Sequence, residues 1–206
     1  MDGIPSGEDK VSKVANVALD FLQQELPLSS QFTFLDIGCG NGCDIDFLSS
    51  KWDNLILRGI DVSSEAIESS IERVSDKDNV SFECMDWKNL DDRQYDIVYM
   101  SGVYHFFPLA ERQAFISKLK TNLKPEGYFF LSTLSSNDTQ YFGEGEPVQG
   151  DLNSFQSEYF LHFCSEVELR RDFEFLEILE LFEYFHKNYA QDTEYHTMWM
   201  LIAQKT

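Results

Sequence analysis

Basic side chains are scarce in this 206-residue chain: 16 Lys and Arg stand against 36 Asp and Glu, a formal net charge of −20. No basic cluster or tail offsets the excess of acid. Because nucleic-acid affinity depends largely on the neutralisation of phosphates by Lys and Arg, no nucleic acid is expected as a partner. The charge is explained by solubility and does not by itself indicate a cationic substrate.

The chain also lacks a long apolar run and a metal-binding cysteine pattern. A membrane-spanning helix needs roughly 20 consecutive apolar residues, and none is present. The polar, acidic residues 1–10 are unlike a signal or transit peptide. The four cysteines have neither Cys-x-x-Cys spacing nor a nearby His partner, so free thiols and no metal are expected. We predict a cytoplasmic protein, a monomer or a homodimer, without membrane contact.

Apolar segments alternate with helical ones along the chain. Strands are predicted at 32–37, 55–60, 80–84, 96–100 and 127–134. Helices are predicted at 11–26, 44–50, 64–74 and 109–123, with Ser63 as the N-cap of the third. Apolar strands that are each followed by a helix are typical of a parallel sheet covered on both faces.

The remainder of the chain predicts an insert and a hairpin. Residues 135–155 are polar and Gly-rich, with weak structure signals, and a capping box of Ser165 and Glu168 starts a short helix. Strands at 175–185 and 195–204 are too close together for a helical crossover, so they are expected to pair as an antiparallel hairpin.

These elements predict an α/β fold of three layers, α/β/α and Rossmann-like, with a seven-stranded, mostly parallel sheet and a C-terminal antiparallel hairpin. We expect a single domain over 1–206. Within it, 1–30 is an N-terminal helical segment and 135–165 is a loop or insert on the acceptor side of the site.

A glycine-rich turn, Gly38-Cys39-Gly40-Asn41-Gly42, follows the first predicted strand. Glycine permits positive φ and close backbone approach, and the N-terminus of the next helix favours a carboxylate. A ligand loop is therefore predicted. A nicotinamide fingerprint would place its third glycine at position 43, which is Cys43, so nicotinamide-dependent redox chemistry is disfavoured.

Acidic residues stand where the next two strands end. Asp61 is placed to accept both hydroxyls of a ribose. Asp86 can accept the exocyclic amine of an adenine, whose ring Val62, Met85 and Trp87 would sandwich. The alternatives are a helix N-terminal charge for Asp61 and a surface-turn residue for Asp86.

Together with the segment 123–128 and the terminal hairpin, these positions resemble the class I S-adenosylmethionine (SAM)-dependent methyltransferases, most strongly over residues 32–134. The resemblance implies SAM as cofactor and S-adenosylhomocysteine (SAH) as product. It also implies that residues 99–105 form a wall around the transferred methyl group. The cofactor-binding residues that it implies are Asp36, Gly38, Cys39, Gly40, Asn41, Gly42, Asp61, Val62, Met85, Asp86, Trp87, Ser101 and His105.

Two motifs of other methyltransferase classes are missing: there is no Asn/Asp-Pro-Pro-aromatic run after the fourth strand and no Pro-Cys dipeptide. The segment 159–169 looks like an insert of small-molecule methyltransferases, including tellurite-resistance-like members. We therefore predict methyl transfer to a small molecule. Methylation of a protein or tRNA stays open, as does a non-catalytic SAM-binding regulator or partner subunit.

Two histidines are candidate general bases, His105 at the edge of the predicted cleft and then His162. A structural role is the alternative for each, and an intrinsically nucleophilic acceptor would need no base. We expect residues 135–155 and 159–163 to form an acceptor wall or lid. The predicted acceptor-binding residues are Tyr104, Phe106, Tyr159 and His162, with Phe107 as a further aromatic candidate.

Overall fold

The computed structural model describes residues 10–188 and 194–206. Its helices are α1 (Lys13–Glu25), α2 (Cys43–Lys51), α3 (Ser64–Arg73), α4 (Leu109–Asn122) and α5 (Glu166–Asp172). Its strands are β1 (Phe32–Ile37), β2 (Leu55–Asp61), β3 (Val80–Cys84), β4 (Tyr95–Ser101), β5 (Leu123–Leu134), β6 (Glu146–Pro147), β7 (Ser154–Gln156), β8 (Phe160–His162), β9 (Glu177–Asn188) and β10 (Glu194–Gln204). Residues 1–9 of the predicted segment 1–30, and 189–193 between the hairpin strands, lie outside the described residues.

The main sheet has seven strands in the order β3-β2-β1-β4-β5-β10-β9. The first five are parallel to their neighbours, and β10 runs antiparallel to both β5 and β9. The predicted parallel sheet with a terminal antiparallel hairpin is confirmed. Among residues 10–188 and 194–206, no helix is long and apolar enough to cross a membrane.

Successive residues of the central strands enter two separate apolar layers. On β5, Phe130 and Leu134 pack with the layer of α1, α2 and α3, whereas Phe129 and Leu131 pack with α4 and α5. Neighbouring residues in a strand point to opposite faces, so a strand buried on both faces must be apolar throughout. This explains why these segments read as continuous apolar runs.

Three helices begin after a serine whose hydroxyl accepts a first-turn N–H, at Ser12, Ser63 and Ser165. The predicted cap at Ser63 is confirmed. At Ser165 the N–H of Glu168 donates to the hydroxyl as predicted. The Glu168 carboxylate, however, faces His162, with Oε2 at 3.1 Å from Nε2.

Two expectations are corrected. Strand β5 begins at Leu123, four residues before the expected start at Gly127, because Leu123 already pairs with Tyr95 across a register shift. The weakly structured loop expected at 135–155 contains β6 and most of β7, which form a small antiparallel sheet with β8. Strands of two or three residues are too short to give a periodic sequence signal.

A buried ionic cluster fastens this small sheet to the main fold. Arg112 of α4 is 1% exposed, and its guanidinium lies 2.5 Å from Asp151, in the turn before β7. Asp151 also accepts the N–H of Leu109. His162 of β8 shares a hydrogen bond of 2.9 Å with Ser154. Burial opposes ionisation of Asp151, but the hydrogen bonds and charge of Arg112 outweigh it and keep the Asp151 pKa below its usual range.

We expect Arg112→Leu to destabilise the fold by about 3–5 kcal/mol, because it leaves the Asp151 carboxylate buried without its cation. Urea unfolding near neutral pH measures the change. The matched control is Arg170→Leu, which removes an exposed i,i+4 pair with Glu166 and should cost about 0.5 kcal/mol or less. Equal losses for the two variants would contradict a stabilising role for the buried cluster.

Candidate active site

The glycine turn is packed at its two ends and open in its middle. Gly38, Gly40 and Gly42 all have positive φ, of 79°, 52° and 76°. A Cβ on Gly38 would lie 2.2 Å from Cγ2 of Val103, and one on Gly42 would lie 2.8 Å from Cβ of Ser70. A Cβ on Gly40 would meet nothing within 4 Å. The turn thus presents bare backbone to open space at the start of α2.

Asp61, at the end of β2, holds this turn in place. Its Oδ2 accepts the N–H of Gly40 and its Oδ1 accepts the N–H of Ser63, each at 2.9 Å. The N–H groups of Gly38 and Cys39 donate to the carbonyl of Ile60. Each carboxylate oxygen has a second lone pair, so Asp61 can also accept ligand hydroxyls.

A second carboxylate ties the start of α1 to the same place. Asp44, in the first turn of α2, accepts both the N–H and the hydroxyl of Ser12 at 2.7 Å. It also accepts the hydroxyl of Tyr99, from β4, at 2.6 Å. Sequence reasoning missed this cluster of Ser12, Asp44 and Tyr99. Its only signals were an acid after the glycine turn and a hydroxyl in an apolar strand.

Asp36, at the end of β1, is a third carboxylate and only 2% exposed. Burial raises its pKa well above the usual range, and the charges of Asp44 and Asp61 raise it further. Burial, followed by the charges of Asp36 and Asp61, also raises the pKa of the Cys39 thiol, which therefore stays protonated. Carboxylates gathered at low exposure favour a cationic ligand at this end of the sheet.

The predicted adenine-binding residues separate into two groups. Val62 is 72% exposed, and the N–H of Met85 donates to the Asp61 carbonyl. The Asp86 carboxylate accepts the N–H of Lys88 within a single 3-10 turn over Trp87–Asn89 and stays partly exposed. Trp87 itself is 7% exposed and packs on Phe107, with ring centroids 5.2 Å apart. Trp87 thus packs in the core, and its predicted contact with the adenine stays a prediction.

The chain after β4 forms the adjoining wall. Ser101 is half-buried, Gly102 has a φ of 71° and faces open space, and a 3-10 turn spans Tyr104–Phe106. Burial, followed by the charges of His196 and His162, lowers the pKa of His105 to about 3. The His105 ring is therefore neutral at ordinary pH.

The predicted acceptor-binding residues differ in how far they are buried. Phe106 and Tyr159 are half-buried. Tyr104 is fully buried among core aromatics, and Phe107 is 7% exposed. His162 is fully buried, with one ring nitrogen at Ser154 and the other at Glu168. Core packing accounts for the burial of Tyr104 and Phe107, and the two polar contacts account for the burial of His162. The structure therefore does not bring these three side chains to the open side of the site.

A parallel sheet with this strand order, a glycine turn after β1 and acids after β1, β2 and β3 define a class I, Rossmann-like methyltransferase fold. Residues 35–129 match the family model described as a methyltransferase domain. The predicted resemblance to class I SAM-dependent methyltransferases is confirmed by this match together with the relatives and solved structures below.

Several known proteins are similar to this chain. A malonyl-[acyl-carrier protein] O-methyltransferase of Acetivibrio thermocellus is 30% identical over 122 residues, 59% of this chain and 41% of that protein. A SAM-dependent methyltransferase of Methanosarcina mazei superposes with a TM-score of 0.74 at 21% identity, over 90% of this chain and 96% of that one. Magnesium protoporphyrin IX methyltransferase of Synechocystis PCC 6803, solved with SAH, superposes with a TM-score of 0.69 at 17% identity, over 97% of this chain and 90% of that one. The match thus spans less than half of the first relative's length.

We expect Asp36→Asn to stabilise the protein by about 1 kcal/mol near neutral pH. Asp36 holds its proton more tightly when folded than when unfolded, so its contribution is favourable at low pH and is lost as pH rises. The gain from Asn should therefore grow from acidic to neutral pH. Thermal unfolding across that range measures it, with the exposed Asp53→Asn as control. A variant less stable than the parent at neutral pH would contradict the assignment.

Proposed function

We propose that this chain transfers a methyl group from SAM to a small-molecule acceptor and releases SAH. The observation that carries the proposal is the glycine turn. Asp61 accepts a hydrogen bond from the N–H of Gly40, and the outer side of Gly40 is open. A ligand can lie there against bare backbone with the acid beside it. The Synechocystis neighbour solved with SAH and the matched methyltransferase domain support SAM as that ligand.

The residues around the turn fit the parts of SAM. The start of α2 suits its carboxylate, and Asp36 offers a buried carboxyl group to its ammonium. Asp61 has lone pairs for the ribose hydroxyls. Val62, Met85 and Asp86 lie beyond Asp61 for the adenine. We assign the remaining contacts to Cys39, Asn41, Ser101 and His105.

When bound, SAM supplies an electrophilic methyl group, so the chain mainly has to align the acceptor and exclude water. Gly102 and the 3-10 turn at Tyr104–Phe106 lie where β4 ends, next to the glycine turn. We infer that this segment and the small sheet of 135–165 form the acceptor side. Phe106 and Tyr159 are the aromatic residues assigned to it.

A small molecule is the acceptor class that we favour. Among similar proteins, one acts on a malonyl-[acyl-carrier protein] and another on magnesium protoporphyrin IX. The net charge of −20 disfavours tRNA because phosphates would be repelled. We further infer one domain that works in the cytoplasm, as a monomer or a homodimer, without a nucleic-acid partner.

We expect Asp61→Asn to weaken SAM binding about tenfold or more, because it removes a charge-assisted acceptor and loosens the turn at Gly40. Calorimetric titration with SAM measures the loss. Asp78→Asn, which changes an exposed aspartate just before β3, is the matched control and should bind SAM as the parent does. Unchanged SAM affinity in Asp61→Asn would contradict the assigned cofactor site.

Release of SAH from SAM, followed with a panel of small acids, phenols, thiols and amines, tests the transfer itself. We expect SAH formation to depend on one acceptor class and to be lost in Asp61→Asn at low SAM concentration. SAM binding with no acceptor-dependent SAH formation across the panel would contradict the enzyme and favour the regulator alternative.

A further inference from the structure

Two imidazole nitrogens are buried at one edge of the main sheet without a hydrogen-bond partner. Within residues 10–188 and 194–206, Nδ1 of His105 and Nδ1 of His196 make no hydrogen bond; Nε2 of His162 makes none either, but it lies 3.1 Å from the Glu168 carboxylate. His105 is 7% exposed. Buried polar atoms in proteins nearly always have a partner, so these atoms indicate a place where a ligand or water completes the hydrogen bonding.

Both histidines lie beyond the carboxyl ends of the parallel strands. His105 follows β4, whose last residue, Ser101, pairs with Ser132 of β5. His196 is near the start of β10, where Met198 pairs with Leu134 at the end of β5. Because β10 is antiparallel to β5, its first residues lie at the edge where the parallel strands end. Ligands of open α/β sheets bind at this edge.

The two rings are close enough to interact electrostatically. After burial, the charge of His196 is the next largest cause that lowers the pKa of His105. The His196 ring stacks on Tyr141, with centroids 4.7 Å apart, and its Nδ1 lies 3.7 Å from the Asp138 carboxylate. Neither ring belongs to a metal-ligating group, since no such group of three is present in the described part of the chain.

The carboxylates at this edge accept hydrogen bonds from within the chain. Asp138 accepts backbone N–H groups on both oxygens, from Gln140, Tyr141 and Thr197. Glu183 accepts the hydroxyl of Ser135 and the amide of Asn137, both on Oε1. The imidazole atoms at this edge, Nδ1 of His105 and Nδ1 of His196, are left without a hydrogen-bond partner.

We propose that His105 and His196 bind the methyl acceptor, and that this acceptor is an oxygen acid, either a carboxylate or the acidic hydroxyl of a phenol or enol. The inference rests on the proposed function and names its substrate class. An imidazole nitrogen can donate to a carboxylate oxygen or, as the other tautomer, accept from a hydroxyl. An oxygen acid therefore satisfies both orphaned atoms.

The proton balance differs between the two kinds of acceptor. In both, the new bond joins the acceptor oxygen to the methyl carbon, and the electron pair of the broken bond stays on the sulfur of SAM. A carboxylate has no proton to lose and gives a neutral ester. A hydroxyl loses one proton, which passes to water, because burial holds the pKa of His105 well below its usual range.

Nitrogen-15 spectra of the full chain, labelled in its four histidines and saturated with SAH, test the proposal. The probes are benzoate and catechol, with benzylamine as the amine of similar size. We expect both oxygen acids, and not benzylamine, to shift the Nδ1 signals of His105 and His196. His162 is the internal control and should not move, because its nitrogens face Ser154 and Glu168.

Variants extend the test to affinity. His105→Ala and His196→Ala should each weaken benzoate binding about fivefold or more. SAH affinity should be retained in His196→Ala, and an unchanged circular dichroism spectrum is the check on folding for both variants. Tyr195→Phe is the matched control: Tyr195 adjoins His196 on β10, is 49% exposed and points to the opposite face.

The proposed function and the proposed acceptor class are contradicted by different results. If the wild-type chain does not bind SAH, the proposed function is contradicted. If it binds SAH but the acids leave both histidine signals unmoved, or benzylamine moves them equally, the acceptor inference alone is overturned.

Discussion

The pair of hydrogen bonds that Asp61 accepts from Gly40 and Ser63 is the contact on which the candidate site depends. It joins the end of β2 to the glycine turn and to the start of α3. The positive φ at Gly40 costs little because glycine has no Cβ. This geometry leaves the turn open on one side and puts an acid beside the opening. Cofactor binding, as we propose it, follows from these two features.

The acids around this turn lower the stability of the unliganded chain and favour the binding of a cationic ligand. Asp36 is buried close enough to Asp44 and Asp61 for its pKa to rise well above the usual range, an arrangement that destabilises the folded chain near neutral pH. Asp44 is compensated by Ser12 and Tyr99. Asp36, by contrast, is subject to burial and to the like charges of Asp44 and Asp61, all of which raise its pKa. A cationic ligand would relieve that repulsion, so the site is stabilised most when it is filled.

Sequence patterns predicted the strands and the glycine turn well because both are local. Strands β1 and β3 coincide with their predicted ranges, since apolar runs bounded by turns have few alternatives. The cluster of Ser12, Asp44 and Tyr99 was missed because its members are up to 87 positions apart. The burial of Trp87 and His162 was also not predictable, because an aromatic or a histidine beside a site carries no signal of which way it points.

The most direct test of the central claim is a crystal structure of the full chain with SAH. We predict SAH along the glycine turn, over the open side of Gly40, with its ribose hydroxyls hydrogen-bonded to Asp61 and its adenine beside Val62 and Asp86. SAH bound elsewhere on the chain, or bound here without contact to Asp61, would contradict the account.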